Sequence, residues 1–331
     1  MQERKLGTLS VSASGYGCMG LSHAYGRPCG EQEFRHIIAA ALDAGITFFD
    51  TAEVYGTPDD PHHNENMLGK VLPQYRDRIV LASKFGLGFD LTAQPPYPLV
   101  PNSDPKQIKA ALEGSLKRLH TDHLDLYYQH RPDPKVEPEA VATVMAELIQ
   151  EGKILHWGVS EAPADYIRRA HQVCPIAAVQ NRYSMLARHH EELFPLLEEL
   201  NIGLVAFSPL ANGILSGQYS AESKFDSATD YRAKMPQFQA QSYEQNKQLF
   251  ARLTEIAQAH NCTMAQLSLA WVMGKKPWIV PIPGTRSLER LQENVGAAAV
   301  TLSAQEMEAI DTALDQLPHS AVYGGAAMAK Q

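Results

Sequence analysis

A chain of 331 residues is long enough for one large α/β domain or two ordinary ones. Its apolar share suits a globule with a large core. Its net charge of −8 comes with no long run of either sign, which argues against a nucleic-acid partner. No stretch approaches the apolar length of a membrane span, so no membrane partner is expected either.

The start M-Q-E-R-K-L-G has no apolar signal core, which points to the cytoplasm. Cys18, Cys29, Cys174 and Cys262 are scattered and form no C-x-x-C pair, so they read as free thiols rather than a disulfide framework or a zinc site. Residues 4–11 read as a hairpin leading into the fold. The stretch G-Y-G-C-M-G at Gly15–Gly20 is formally a G-x-G-x-x-G match. A dinucleotide fingerprint needs its helix to open inside the glycine loop, whereas here Pro28 and Gly30 intervene and the helical pattern starts only near Glu31. The expectation is a strand that closes in a glycine turn.

Residues 31–44 carry Phe34, Ile37, Ile38, Ala41 and Leu42 on one stripe, with Gly45 as the stop, and so predict a helix. Ile46–Phe49 predicts a buried strand, with Asp50 at its end and Tyr55 in the loop beyond. Residues 64–72 predict a short helix capped by Asn64. Ile79–Ser83 predicts a strand ending in Lys84. Residues 85–103 contain A-Q-P-P-Y-P-L-V-P and are expected to be a long irregular loop. Asp104-Pro105 opens a helix in cap-then-proline order, with Ile108, Leu112, Leu116 and Leu119 on its apolar face.

Further strands are expected at Leu124–Tyr128, Ile154–Val159, Ala177–Gln180, Gly203–Phe207 and Trp278–Val280. Helices are expected at Val136–Gln150, Pro163–His171, Glu191–Leu200, 243–259, 264–273, Leu288–Gly296 and 303–316. A polar excursion runs from Ala211 to about Ser242, and the small, polar tail from about 318 to 331 reads as disordered. Counted from Gly17, this is eight strands in alternation with helices and no linker. It predicts a single domain over residues 1–331, a (β/α)8 TIM barrel with long loops at the C-terminal face, where such folds build their sites.

On that face an acid, a phenol, a base and an imidazole follow the ends of three successive strands: Asp50, Tyr55, Lys84 and, through Gln129, His130. A side chain that works as a general acid must be able to give its proton and take it back. A free phenol titrates near 10, and a neighbouring ammonium is expected to lower that value. Taken singly, each residue has a structural reading: surface packing, a turn cap, a solvated strand end, a satisfied core histidine.

Together with F-F-D-T-A-E-V-Y-G, A-S-K-F-G, L-Y-Y-Q-H-R-P-D, G-V-S, V-Q-N-R-Y, F-S-P-L and I-P-G-T-R-S-L-E-R-L-Q-E-N, the chain resembles the aldo-keto reductases over nearly its whole length. The Q-H-R-P-D form is similar to their bacterial branch. The resemblance implies Tyr55 as general acid, Lys84 and Asp50 as its tuning pair, and His130 as the group that polarises the carbonyl. It implies an NADPH cofactor and a small-molecule carbonyl substrate, and no metal. The adjacent pairs His62-His63 and His189-His190 do not converge on one ion.

By the same resemblance Ser160 and Gln180 hold the nicotinamide carboxamide and Phe207 stands where a ring-stacking tyrosine is usual. Ser208, Pro209, Leu210 and Gly213 line the pyrophosphate, and Met19 belongs to the same set. Thr285, Arg286 and Arg290 form the 2′-phosphate pocket, the two arginines on the first turns of the helix after the last strand, with Glu293 and Asn294 on the adenine side. Two departures stand out. Glu161 follows Ser160 where Asn is commoner, and Gly284 replaces a lysine of other branches, leaving the phosphate charge to the two arginines. Tyr25, Phe89 and Asn181 are pocket candidates from loop position alone. A redox-sensing nicotinamide-binding regulatory subunit is the rival reading, which the lack of an added N-terminal segment disfavours. Another barrel enzyme without nicotinamide, such as an isomerase, is the weaker third. The sequence sets neither the physiological substrate nor the oligomeric state.

Overall fold

The structure, a computed structural model, describes residues 1–94 and 97–324. A hairpin of β1 (Glu3–Leu6) and β2 (Leu9–Ser12) leads into β3 (Tyr16–Gly17), then α1 (Glu31–Asp43), β4 (Phe48–Asp50), α2 (His63–Gly69) and β5 (Val80–Phe85). An antiparallel ribbon, β6 (Leu87–Phe89) with β7 (Leu99–Pro101), precedes α3 (Pro105–Leu119), β8 (Leu124–Gln129), α4 (Pro138–Gln150), β9 (Ile154–Ser160), α5 (Ala164–Val173) and β10 (Ala178–Arg182). The chain ends with α6 (Phe194–Glu199), β11 (Gly203–Phe207), α7 (Ala240–Ala259), α8 (Met264–Lys275), β12 (Ile279–Pro281), α9 (Leu288–Gly296) and α10 (Ala304–Gln316).

Strands β3, β4, β5, β8, β9, β10, β11 and β12 pair in that order, all parallel. The ends of this sheet meet where the Gly15 N–H donates to Pro281 O at 2.9 Å, closing the (β/α)8 barrel. The glycine-rich stretch serves this seam. A Cβ on Gly17 would stand 2.6 Å from Ile282 O, and one on Gly284 would stand 2.3 Å from Gly17 O. Only glycines let the two backbones approach so closely.

Side chains alternate across the barrel wall with the period of two that a strand imposes. Phe48, Ala82, Leu126, Tyr128, Ala178, Val205 and Val280 point inward and pack with one another, and Leu6, Leu9 and Val11 of the hairpin pack with them. Phe49, Leu81, Tyr127, Val179, Leu204 and Ile279 point outward against the helices. That outer layer is continuous from Tyr16 to Val322. Each large apolar side chain it buries contributes about 1.5–3 kcal/mol.

Four expectations need correction. The 85–103 segment is not wholly irregular: Leu87–Phe89 and Leu99–Pro101 pair as a ribbon, because a two-stranded edge tolerates a proline that donates no hydrogen bond. Asn64 does not cap α2. It lies inside the first turn, fully buried, and bonds to Thr51, Cys18 O and Ser22 instead. Arg286 precedes α9 rather than riding on its first turns, because Ser287 is the N-cap and accepts from Arg290 N. The expected disordered tail is fixed as far as Gly324. Ser320 is buried and its N–H donates to Asn246 at 2.7 Å, Val322 is buried, and the Tyr323 N–H donates to Gln237. Residues 325–331 lie outside the described residues.

Inside the barrel, a Cβ on Gly158 would fall 2.4 Å from Ala178 O and 2.6 Å from the Tyr128 ring. Gly158→Ala is therefore expected to destabilise, since overpacking at about 1–3 kcal/mol outweighs the backbone-entropy gain of about 0.5–1 kcal/mol. A lower urea midpoint than wild type checks this; an unchanged midpoint would show that the Tyr128 ring has room to move aside.

Candidate active site

The inward register of the strands carries straight into the site. Two residues beyond inward Phe48, Ala82, Tyr128 and Ala178 come Asp50, Lys84, His130 and Gln180, and two beyond Val205 comes Phe207. The same alternation that packs the barrel therefore brings these side chains to one rim.

Lys84 is fully buried beneath that rim, and its three N–H donors meet three acceptors: Asp50 Oδ1 at 2.5 Å, Thr51 O at 2.7 Å and Tyr55 OH at 3.1 Å. The other Asp50 oxygen accepts from Gln180 Nε2 at 2.8 Å. Tyr55 comes from the loop after β4. Its carbonyl accepts from Ser22 Oγ at 2.7 Å and from the Asn64 N–H at 3.1 Å, which holds the residue from its backbone side. Its ring is edge-on to His130 at 5.6 Å between centroids and stacks on His23 at 6.1 Å.

Burial raises the Tyr55 pKa, and the opposing pull of Lys84 does not cancel it. The expected net lowering by lysine is thus corrected: desolvation of a phenolate outweighs one ammonium already committed to Asp50. For Lys84 burial works downward, but Asp50 and Tyr55 together outweigh it and hold the ammonium above its ordinary value. Burial, then Lys84 and Arg131, push His130 well below its ordinary value, so its imidazole is neutral. The resting site therefore holds a protonated phenol, a charged ammonium and a neutral imidazole. His130 Nδ1 has no partner among the described residues.

Above these groups opens a cleft of about 580 Å³. Asp50, Tyr55 and His130 line its floor. Ser160 lines it at the end of β9, Gln180 in the middle of β10, and Met19 on the short turn after β3. From Phe207 the wall continues through Ser208, Pro209, Leu210 and Gly213, a tight stretch in which Ser208 has φ 49 and Gly213 φ 104. Gly284, Thr285, Arg286, Arg290, Glu293 and Asn294 line the far end.

A nicotinamide dinucleotide fits these residues. Gln180 has its Nε2 taken by Asp50, which leaves its carbonyl oxygen uncommitted among the described residues, while Ser160 Oγ accepts from Arg131 at 3.1 Å and keeps its own proton to donate. One acceptor and one donor suit a carboxamide, and Phe207 offers a flat apolar face beside them. At the far end Arg286 donates Nε to Gly20 O at 2.6 Å and Nη1 to Arg27 O at 2.8 Å, and Arg290 pairs with Glu293 at 2.8 Å. Glu161 turns away from the cleft and accepts from the Arg182 N–H at 2.7 Å. Burial works against its charge, yet His190 and that N–H bring its pKa down to about 2.

Of the pocket candidates, Tyr25 lines the cleft and its hydroxyl accepts from Asn212 Nδ2 at 2.7 Å. Asn181 does not: it is wholly buried, and its Oδ1 accepts from the Glu161 N–H. Phe89 packs beside Tyr55 and Met19 without lining the cleft, while its ribbon neighbours Leu87 and Leu99 do line it. Sequence reasoning missed His23, Arg131, Arg182 and Tyr323, all on the cleft wall. Arg131 and Arg182 sit at strand ends within motifs already noted, a signal that was available; His23 and Tyr323 sit on loops and carried none. Among the described residues no three His, Cys, Asp or Glu side chains gather to hold a metal, and no helix is long and apolar enough to cross a membrane.

A family model described as the Aldo/keto reductase family matches residues 15–315. "Probable aldo-keto reductase 1" of Glycine max is 41% identical over 330 residues, covering 98% of this chain and 91% of that protein. Among solved structures, a glycerol dehydrogenase from Gluconobacter oxydans superposes with a TM-score of 0.85 at 25% identity over 95% of both chains. The holo form of an aldo-keto reductase from Bacillus halodurans does so with a TM-score of 0.75 at 28% identity over 98% of both.

A second polar cluster lies behind the floor. Glu53 Oε1 accepts from the Gly86 N–H at 3.0 Å, and Glu65, fully buried, accepts from Ser83 Oγ and Arg118 Nε. Burial first, then the charge of Glu65, raises the Glu53 pKa from 4.5 to about 7. Between those values the folded state holds a proton that the unfolded state has released, so this group's contribution to stability falls as pH rises from about 4.5 to about 7 and is flat above. Glu53→Gln is expected to remove that fall, so its melting temperature relative to wild type should climb between pH 5 and pH 8. A constant difference across that range would show that Glu53 ionises at its ordinary pKa.

Proposed function

The chain belongs to the aldo/keto reductase family of NAD(P)H-dependent carbonyl oxidoreductases, and on that premise we propose that it reduces aldehydes or ketones to alcohols with NADPH, Tyr55 giving the proton. The observation that carries this reading is the Tyr55 hydroxyl, 3.1 Å from the ammonium of Lys84 on the floor of the cleft.

The bound dinucleotide supplies the hydride. The chain's own residues do the rest. Neutral His130 donates a hydrogen bond to the carbonyl oxygen and turns it toward Tyr55. Tyr55, kept protonated by burial, gives its proton as negative charge grows on that oxygen. Lys84 then faces the phenolate left behind, and Asp50 keeps the ammonium fixed and charged. The buried floor excludes water, which strengthens each of these interactions. Cys18, Cys29, Cys174 and Cys262 are all free thiols, which supports a reducing compartment such as the cytoplasm.

Tyr55→Phe is expected to lower carbonyl turnover by about 10²–10⁴, the usual loss when a general acid is removed, and to leave NADPH binding nearly intact. Steady-state rates over a panel of aldehydes, followed by nicotinamide absorbance, check this. Turnover close to wild type in the variant would take Tyr55 out of its role, and a wild type that binds NADPH yet reduces nothing in the panel would favour the nicotinamide-sensing reading.

The preference for NADPH rests on the far end of the cleft. Arg286 has two of its nitrogens on carbonyls, but Nη2 is uncommitted among the described residues; Arg290 keeps donors beyond its bond to Glu293. A charge-assisted hydrogen bond to a 2′-phosphate contributes about 1.5–3 kcal/mol, or tenfold and more in affinity, and NADH gains none of it. Arg286→Ala is expected to weaken NADPH binding by about that factor and barely to change NADH. Dissociation constants from quenching of tryptophan fluorescence measure both; equal losses for the two cofactors would place the 2′-phosphate elsewhere.

A further inference from the structure

Three partly buried arginines pair with a carboxylate, while Arg4 and Arg131 rest on carbonyl and hydroxyl oxygens instead. Arg118 has Glu65 at 2.7 Å, Arg232 has Asp230 at 2.6 Å and Arg76 has Asp125 at 2.8 Å. Arg182 is the most buried arginine among the described residues. It is only 8% exposed, yet among the described residues its guanidinium forms no ion pair, and its one hydrogen bond is Nη1 to Asn212 Oδ1 at 3.2 Å. Glu161 acts on the guanidinium electrostatically from beyond ion-pair distance, and its Oε1 accepts from the Arg182 backbone N–H and faces His190 at 3.5 Å.

The location of this cation matters as much as its lack of a partner. Arg182 ends β10 two residues after Gln180, pairs in register with Phe207, and lines the cleft that Tyr55 and His130 floor. Its guanidinium lies 5.0 Å over the Phe207 ring and 5.5 Å over the Tyr323 ring. Arg131, beside His130, is near enough to act electrostatically on both Tyr55 and Arg182. A cation held between two aromatic faces, out of water and with one neutral acceptor, is costly in the free protein. Its planar edge is matched by a planar carboxylate.

We propose that Arg182 is a substrate subsite for a carboxylate, so that the preferred substrates are aldehydes or ketones bearing a carboxylate at a distance from the carbonyl. Asn212 fixes the guanidinium through Oδ1, which also accepts from Gln237 at 3.1 Å, while its Nδ2 donates to Tyr25 OH, so the orientation is set before the substrate arrives. This rests on the carbonyl-reductase reading and names the substrate class for the same site.

The test compares 4-formylbenzoate with its neutral methyl ester, two aldehydes of similar ring electronics, using NADPH and wild-type protein at low salt. A preference in kcat/KM of about tenfold or more for the carboxylate is expected, the worth of one charge-assisted bond. In Arg182→Gln that preference, read as the ratio of the two kcat/KM values, should vanish, and Arg182→Lys should keep part of it. Should the Gln variant fail to fold, the wild-type pair and the Lys variant carry the test. A wild type that reduces the ester but shows no preference overturns the subsite and leaves the reductase reading standing. Equal losses on both aldehydes in Arg182→Gln make Arg182 a brace between Phe207 and Tyr323, and also overturn it. If neither aldehyde is reduced, the reductase reading has failed, and calorimetric titration of both compounds into wild type and Arg182→Gln decides the subsite without turnover. Tighter wild-type binding of the carboxylate, lost in the variant, sustains it, and equal binding overturns it.

Discussion

A charged lysine with no exposure to water constrains this molecule more than any other single feature. An ammonium taken from water costs several kcal/mol unless every donor is met and a counter-charge stands beside it. Lys84 meets that condition only because four segments converge on it: β4 brings Asp50, the turn after it brings the Thr51 carbonyl, the next loop brings Tyr55, and β10 fixes the second Asp50 oxygen through Gln180. Breaking any one leaves a buried charge or dipole without a partner. The proposed catalytic arrangement is thus the arrangement under which the fold tolerates its own lysine.

Period two is what made this legible in the sequence. Once Phe48, Ala82, Tyr128 and Ala178 face the barrel interior, Asp50, Lys84, His130 and Gln180 must do so as well, one repeat further on. The succession of strands follows from apolar runs and turn residues alone, whereas which face of each strand turns inward comes from the fold. Asn64 was misread because a cap and a buried tether use the same side chain. Its neighbours Cys18, Ser22 and Thr51 are distant in sequence, and only the folded loop brings them together. The ribbon at Leu87–Phe89 and Leu99–Pro101 was missed because prolines mark the connection more strongly than three-residue strands mark themselves. The segment to Gly324 was missed because its anchors, Asn246 and Gln237, lie more than eighty residues upstream or close to it, where no local pattern points to them.

The electrostatics were legible in sign for each pair but not in their balance. Lysine does pull the Tyr55 phenol down, as the sequence suggests, yet the burial that makes the pair strong also penalises the phenolate more. How deep a loop residue sinks is a tertiary property. For the proposed reduction the outcome is favourable: the resting phenol carries its proton, and the stabilising charge would act when that proton leaves. The same logic keeps His130 neutral, able to donate one hydrogen bond without competing with Lys84 for negative charge.

Lys84 and Arg182 stand at the two ends of one argument. Both are cations at the end of a barrel strand, and both are shielded from water. Lys84 is saturated by the chain itself, so it cannot bind anything else and is free only to tune. Arg182 is held by aromatic faces and one amide oxygen, which orient it but do not neutralise it. Arg76, Arg118 and Arg232 each have a carboxylate at ion-pair distance, whereas Glu161 turns its Oε1 to the Arg182 backbone and reaches the guanidinium only electrostatically. The carboxylate proposed to complete the guanidinium would therefore come from what the cleft admits, not from the barrel.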